Sequence, residues 1–145
     1  MHMSKGIIEG WSEMSDWYQK QSQISLADLH VAPLCEGGGE LGLIDSYDGK
    51  RFLELGCGAA QNSIAASRKG AEVFGIDGSE RQLRHALHLK FQHSANVELI
   101  RGDIEDLNWV RSNSMDCLLS MFALEFIEDI DRFLQHCFRI LVSHG

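Results

Sequence analysis

The stretch at positions 53–62, LELGCGAAQN, limits what this sequence can fold into more than any other segment. An apolar run breaks into a turn with two glycines, Gly56 and Gly58, and a segment of helical composition follows. A buried strand that turns tightly into a helix is the repeating unit of parallel α/β sheets. A carboxylate, Glu54, stands two residues before the first glycine, so the ligand of this turn has to accept a negative charge at its entrance.

The chain alternates between short apolar runs and helical patterns from residue 51 onwards. The patterns predict strands at 51–55, 71–77, 96–103 and 115–122, and helices at 59–70, 79–94 and 129–142. Leu83, Leu87 and Phe91 share one face of the second of these helices. This order of elements predicts a doubly wound, mostly parallel, Rossmann-like α/β sheet with helices on both faces.

The first 49 residues form a different kind of segment. Apolar residues recur there at helical spacing and predict an amphipathic N-terminal helix: Ile7, Ile8, Trp11, Met14 and Tyr18. The only proline and a glycine triplet lie within 33–49, which predicts a loop and a short helix. We therefore expect residues 1–49 to be a helical lid and lead-in, and residues 50–145 to be the ligand-binding core of one domain.

Composition narrows the class of protein. The net charge of −8 argues against a nucleic-acid partner, because a phosphate track needs clustered Lys and Arg. No apolar run approaches the roughly 20 residues of a membrane span, and the N-terminus does not resemble a signal peptide. Four cysteines without a CxxC pair predict neither a metal site nor a disulfide framework. These features favour a cytoplasmic protein with a small-molecule ligand.

Acidic residues follow three successive predicted strands, namely Glu54, Asp77 and Asp103. The carboxyl ends of parallel strands share one edge of the sheet, where such folds bind ligands. A dinucleotide is one alternative, since Asp77 lies about 20 residues after Gly56. The third glycine of that fingerprint is replaced by Gln61, however, and Glu54 would face an anionic pyrophosphate. A nucleoside with an amino acid arm fits better, because its ammonium group favours a nearby carboxylate.

S-adenosylmethionine (SAM) is such a nucleoside, and residues 51–141 resemble the class I SAM-dependent methyltransferases. FLELGCGAAQNSIAASRKGAEVFGIDGSERQL is similar to the first two family motifs, and ELIRGDIEDL and MDCLLSMFALEFIEDIDRFLQHCFRIL are similar to the third and fourth. The segment DLHVAP and the aromatic helix before it resemble the small-molecule branch. The resemblance implies methyl transfer from SAM to a small molecule, with S-adenosylhomocysteine (SAH) as the product.

The resemblance also implies which residues contact the methionine part of SAM. Glu54, Gly56, Cys57 and Gly58 are expected to form the turn against it. Met121 is expected where a backbone carbonyl meets the amino group.

The nucleoside part has its own expected contacts, again by resemblance. Asp77 is expected to hold the ribose hydroxyls, with Gly78 allowing a close approach. Leu83 is expected to pack on the adenine, Asp103 to accept its exocyclic amine, and Ile104 to offer a backbone N–H.

By the same resemblance, Tyr18 is expected to close over SAM from the N-terminal helix. Ala60 stands where the methyltransferase family has the third glycine of its turn, and it is expected to be tolerated in helical backbone. The sequence identifies no general base; the segment of His30 is expected to border the acceptor, but no catalytic role is assigned to this residue.

The family continues beyond RIL into a further strand and an antiparallel pair. The strand at 115–122 would therefore be an edge, and this predicts a homodimer that covers it. The alternatives to an enzyme of this kind are a non-catalytic module that binds SAM or SAH and, third, an NAD-dependent oxidoreductase.

Overall fold

The computed structural model describes residues 5–32 and 37–143. The helices are α1 (Lys5–Ser22), α2 (Gln61–Arg68), α3 (Glu80–Gln92) and α4 (Ile130–Ile140), with a 3₁₀ turn at Leu124–Phe126. The strands are β1 (Arg51–Leu55), β2 (Glu72–Asp77), β3 (Val97–Arg101) and β4 (Cys117–Leu119). They form one parallel sheet in the order β3-β2-β1-β4. The predicted α/β fold class is confirmed.

The apolar run of β1 is explained by its place in the middle of the sheet. Phe52 and Leu53 are each 1% exposed although they point to opposite faces. Phe52 belongs to a cluster with Ile64 of α2, whereas Leu53 belongs to a second cluster with Ile140 of α4. The sheet is therefore covered on both faces at β1.

The end of α2 follows the predicted use of Gly70. This glycine has φ +94°, a left-handed conformation that costs other residues about 1 kcal/mol or more. Its N–H donates to the carbonyl of Ser67, and the N–H of Ala71 donates to the carbonyl of Ala66. These two bonds satisfy carbonyls of the last helical turn, so α2 ends cleanly before β2.

The face of α3 differs from the one that its sequence pattern suggests. Leu87 is 46% exposed and Phe91 is 71% exposed, whereas Gln82 and Ala86 are buried. The helix is turned towards α1, which lies beside it, and Gln82 makes a hydrogen bond to Gln19 of α1 (3.1 Å). The covered side of α3 thus faces α1 at Gln82 and the glycine turn at Ala86.

The short helix expected within 33–49 does not form in the described part of that segment, 37–49. Turns occupy it instead, held by the N–H of Gly38 to the carbonyl of Leu29 (3.0 Å) and the N–H of Gly39 to Asp28 Oδ2 (2.8 Å). Residues 33–36 of the expectation lie outside the described residues. The glycine triplet therefore brings the segment back against residues 28–29 instead of starting a helix.

Polar side chains fix α1 across the carboxyl edge of the sheet. The hydroxyls of Ser12 and Ser79 are 2.7 Å apart, and Asp16 Oδ1 lies 2.8 Å from His85 Nε2. The position of α1 closes one side of a cavity above the sheet.

Within the described residues, no helix is long and apolar enough to cross a membrane.

The strand β4 is shorter than predicted. Three residues pair with β1, and one isolated parallel bridge joins Met115 to Leu141, beyond which no other described strand pairs with β4. The Ser120 hydroxyl donates to the carbonyl of Leu55 (3.1 Å), and Phe122 has φ +58°. The chain therefore leaves the strand direction after Leu119 and bends towards the cavity.

Candidate cofactor and acceptor site

A cavity of about 890 Å³, including the solvent at its mouth, lies at the carboxyl ends of β1 and β2 under α1. Its wall contains nine of the eleven residues that the sequence suggested for cofactor binding: Tyr18, Glu54, Gly56, Cys57, Gly58, Asp77, Gly78, Ile104 and Met121. The remaining two, Leu83 and Asp103, do not line it. Their contacts with a cofactor remain predictions, as do those of the other nine.

The glycine turn after β1 has a shape that only glycine allows at its first position. Gly56 has φ +75°, and a Cβ placed on it would lie 2.6 Å from the Cβ of Ala123. The N–H groups of Gly56 and Cys57 both donate to the carbonyl of Ile76 at 2.9 Å. The turn is thereby tied to β2, and its backbone forms part of the cavity wall.

Ala60 contradicts one sequence expectation. It was expected to sit in ordinary helical backbone, but its φ of 61° and ψ of 29° are left-handed. Its methyl group is 1% exposed and packs with Cys57 and Ala86, so the methyl group is accommodated and the strain is confined to the backbone. Such strain costs on the order of 1 kcal/mol and is common beside functional sites.

Glu54 is a buried carboxylate in the cavity wall. It is 3% exposed, and its Oε2 accepts hydrogen bonds from the backbone N–H (2.9 Å) and the hydroxyl (2.5 Å) of Ser63. Burial raises the pKa of Glu54 to about 7, against the opposing effect of these hydrogen bonds and one from Asn62. A neighbouring cation would favour its ionised form, whereas a neighbouring phosphate would oppose it.

Asp77 connects the ends of β1 and β2. Its Oδ2 accepts from the N–H of Gly58 and its Oδ1 from the N–H of Ser79, both at 2.8 Å. Burial raises the pKa of this carboxyl group, and the two N–H groups act in the opposite direction. Asp77 is not the N-cap of α3, because the hydroxyl of Ser79 accepts from the N–H of Gln82. Asp77 therefore lines the cavity without serving as the cap of α3.

Three predicted nucleoside contacts have other surroundings. A Cβ on Gly78 would lie 2.9 Å from Cδ1 of Ile8, so the close approach there is to α1. Leu83 packs against the cluster that contains Cys57 and Ala86. Asp103 Oδ1 accepts from the N–H of Glu105 (2.9 Å), which turns this side chain along its own loop.

The cavity also has an aromatic side, of which the sequence suggested only Tyr18 as a cofactor contact. The ring of Trp11 lies edge-on to Tyr18, with centroids 5.6 Å apart, and edge-on to Phe126 at 6.1 Å. His30 and Phe122 form a second pair at 6.4 Å. All five line the cavity, and they come from α1, the loop after it and the segment after β4.

The charges of the cavity wall distinguish the two candidate ligands, SAM and NAD. Two carboxylates, Glu54 and Asp77, line the cavity, together with the thiol of Cys57, whose pKa burial raises. No Lys or Arg is among the described lining residues. An anionic pyrophosphate would find no cation there, whereas an ammonium or sulfonium group would find two carboxylates. The charges of this wall therefore favour SAM over NAD.

Comparison with known proteins agrees with this geometry. The family model for a methyltransferase domain matches residues 53–145. A ubiquinone biosynthesis O-methyltransferase of Neisseria meningitidis is 29% identical over 99% of this chain, and one of Hahella chejuensis is 34% identical over 86%. The chain spans 60% and 51%, respectively, of the lengths of these relatives.

A solved structure extends the agreement to the fold. A putative S-adenosyl-L-methionine-dependent methyltransferase of Methanococcus maripaludis superposes with a TM-score of 0.70 at 18% identity. The match covers all of this chain and 62% of that one. The fold and the family model together define a class I SAM-dependent methyltransferase domain. This chain belongs to the methyltransferase domain family.

Proposed function

We propose that this protein binds SAM and transfers its methyl group to a hydroxyl oxygen of a small aromatic acceptor. The observation that carries the proposal is the cavity itself, in which a carboxylate-lined glycine turn faces a wall of aromatic rings. SAM supplies an already activated methyl group when bound. The protein then has to orient the two reactants, which can account for a large part of the rate.

The roles proposed for the cofactor side follow from charge and backbone shape. Glu54 and the turn at Gly56 are proposed to hold the methionine part, because a buried carboxylate favours an ammonium group. Asp77 is proposed to hold the ribose hydroxyls. Tyr18, from α1, is proposed to close over the cofactor.

Two observations support an aromatic oxygen acceptor. The relatives from Neisseria and Hahella are named as O-methyltransferases. The rings of Trp11, Phe122 and Phe126 line one side of the cavity, and aromatic rings pack favourably edge-on or offset against another ring. An acceptor ring held there would present its hydroxyl group towards the glycine turn.

The aromatic wall also separates catalysis from the alternative of a non-catalytic SAM-binding module. A module that only binds SAM needs the glycine turn and Asp77, but it has no use for an acceptor wall. His30, Phe122 and Phe126 lie on that wall. Their presence favours the enzyme.

Two finer proposals concern location and assembly. A cytoplasmic location is supported by Cys57, Cys117 and Cys137, which are all free. A homodimer is supported by β4 itself, along which only β1 pairs among the described strands, and by the exposure of Leu134 (54%) and Phe138 (87%) on α4. A monomeric mass at micromolar concentration, measured by light scattering, would contradict the dimer.

The test is a transfer assay with simple acceptors. The protein is incubated with SAM and, separately, with catechol, aniline and thiophenol, and SAH and the methylated products are measured by mass spectrometry. We expect SAH and an O-methyl product with catechol, and loss of both in Asp77→Ala. Transfer to aniline or thiophenol alone would contradict the oxygen acceptor, and SAM binding without SAH formation would favour the binding module.

A further inference from the structure

His30 is held by its backbone at the edge of the cavity. Its N–H donates to Oδ1 of Asn62 (2.6 Å), and its carbonyl accepts from Nδ2 of the same side chain (3.2 Å). Asn62 lies in the first turn of α2 and is 7% exposed, and the preceding Leu29 is 1% exposed in the core. The loop that carries His30 is therefore fixed to the same helix start that borders the glycine turn.

The imidazole ring of His30 belongs to the acceptor side of the cavity. It lies 6.4 Å from the ring of Phe122, with a 39° angle between the two planes. Phe122 itself has φ +58°, which is strained for a bulky residue and is retained only where surrounding contacts enforce it. The two rings come from segments more than 90 residues apart in sequence, and the fold brings them together at the wall proposed for the acceptor.

The other ionisable groups among the described lining residues are already engaged or unsuited to accepting a proton there. Glu54 is bonded to Ser63, and both oxygens of Asp77 accept backbone N–H groups. Cys57 packs in a small apolar cluster. The ring of Tyr18 lies edge-on to Trp11.

We infer that His30 is the catalytic base that removes the proton of the acceptor hydroxyl. This inference rests on the proposed O-methyl transfer. The hydroxyl proton passes to a ring nitrogen of His30 while the acceptor oxygen uses an electron pair to bond the methyl carbon. The carbon–sulfur bond breaks with its electron pair going to sulfur, which leaves neutral SAH. The imidazolium then returns its proton to solvent.

The first experiment uses three proteins: wild type, His30→Gln and His88→Gln, a matched control because His88 is exposed on α3. SAM binding is measured by calorimetry and transfer to catechol by SAH formation. We expect equal SAM affinity in all three, and a fall in kcat of about 100-fold or more only in His30→Gln, since general bases typically contribute 10²–10⁴-fold. A kcat for His30→Gln within about threefold of wild type would overturn the inference.

A second readout does not depend on turnover. The ring resonance of His30 is identified by NMR in the SAH complex as the one lost in His30→Gln, and catechol is then added. We expect this resonance, and not that of His88, to shift. An unchanged His30 resonance would overturn the inference.

The outcomes separate this inference from the proposed function. Wild type that fails to bind SAM would refute the proposed function, whatever His30 does. Wild type that binds SAM and methylates catechol, together with a His30→Gln variant that does the same, would refute only the base.

Discussion

The unfolding free energy of Glu54→Gln should increase relative to that of wild type as the pH rises. Burial raises the pKa of this carboxyl group from its usual 4.5 to about 7 in the folded protein. Between these values the unfolded chain has lost the proton and the folded chain still holds it. Stability therefore falls as pH rises from about 4.5 to about 7, and stays lower above it.

The magnitude follows from that difference in pKa. Between pH 5 and pH 8 the ionisation of Glu54 is expected to cost about 2–3 kcal/mol of unfolding free energy. The amide of Glu54→Gln has similar volume and can still accept a hydrogen bond from the N–H or hydroxyl of Ser63, but it does not titrate. The difference in unfolding free energy between Glu54→Gln and wild type should therefore change by about 2–3 kcal/mol in favour of the variant between pH 5 and pH 8.

The assay is urea unfolding of wild type and Glu54→Gln at pH 5, 6, 7 and 8. Glu98→Gln serves as the control, because Glu98 is an exposed residue of β3. We expect the control to follow wild type at every pH. A stability difference between Glu54→Gln and wild type that does not change with pH would refute the assignment of a raised pKa to this buried carboxylate.

Two other predictions concern the glycine turn and the proton balance of the site. Gly56→Ala should lose about 2–4 kcal/mol of unfolding free energy, from left-handed backbone and from overlap with Ala123. Gly42→Ala, at φ +63° with no atom within 4 Å of the added Cβ, should lose only about 1 kcal/mol, and equal losses would contradict the overlap. SAM binding near pH 6.5 should release a fraction of a proton from Glu54. The measured heat of binding should then depend on the ionisation enthalpy of the buffer. Heats that do not vary with the buffer would argue against an ammonium group beside Glu54.

The sheet and the glycine turn were predictable because their signals are local. The apolar run of β1 and the positions of Gly56 and Gly70 follow from burial on both faces and from left-handed backbone. The same locality explains why eight of the suggested residues share one cavity wall, whereas Tyr18 reaches it from α1. Residues at the carboxyl ends of parallel strands are neighbours whatever the rest of the chain does.

The rest depends on how distant segments meet. Trp11 is one of several apolar residues at helical spacing, and only the docking of α1 places its ring beside Phe126. Leu87 and Phe91 look like a buried face in the sequence, but α1 covers the side with Gln82 instead. Such contacts join segments far apart in the chain, so no local pattern contains them.

The left-handed conformation of Ala60 was missed for a different reason. Alanine favours helix in isolation, and its neighbours fit a helix as well. The carbonyl of Cys57 accepts the N–H of Ala60, and the backbone has to turn there to bring the N–H of Ser63 to Glu54. The turn and its carboxylate therefore set the conformation of Ala60 against its own preference.

The central claim is that the carboxylate-lined cavity binds SAM, and calorimetry tests it most directly. Wild type and Asp77→Ala are titrated with SAM, SAH and NAD. Saturable binding of SAM and SAH to wild type, weakened in Asp77→Ala, and no binding of NAD are the predicted results. Binding of NAD in preference to SAM, or SAM affinity unchanged by Asp77→Ala, would contradict it.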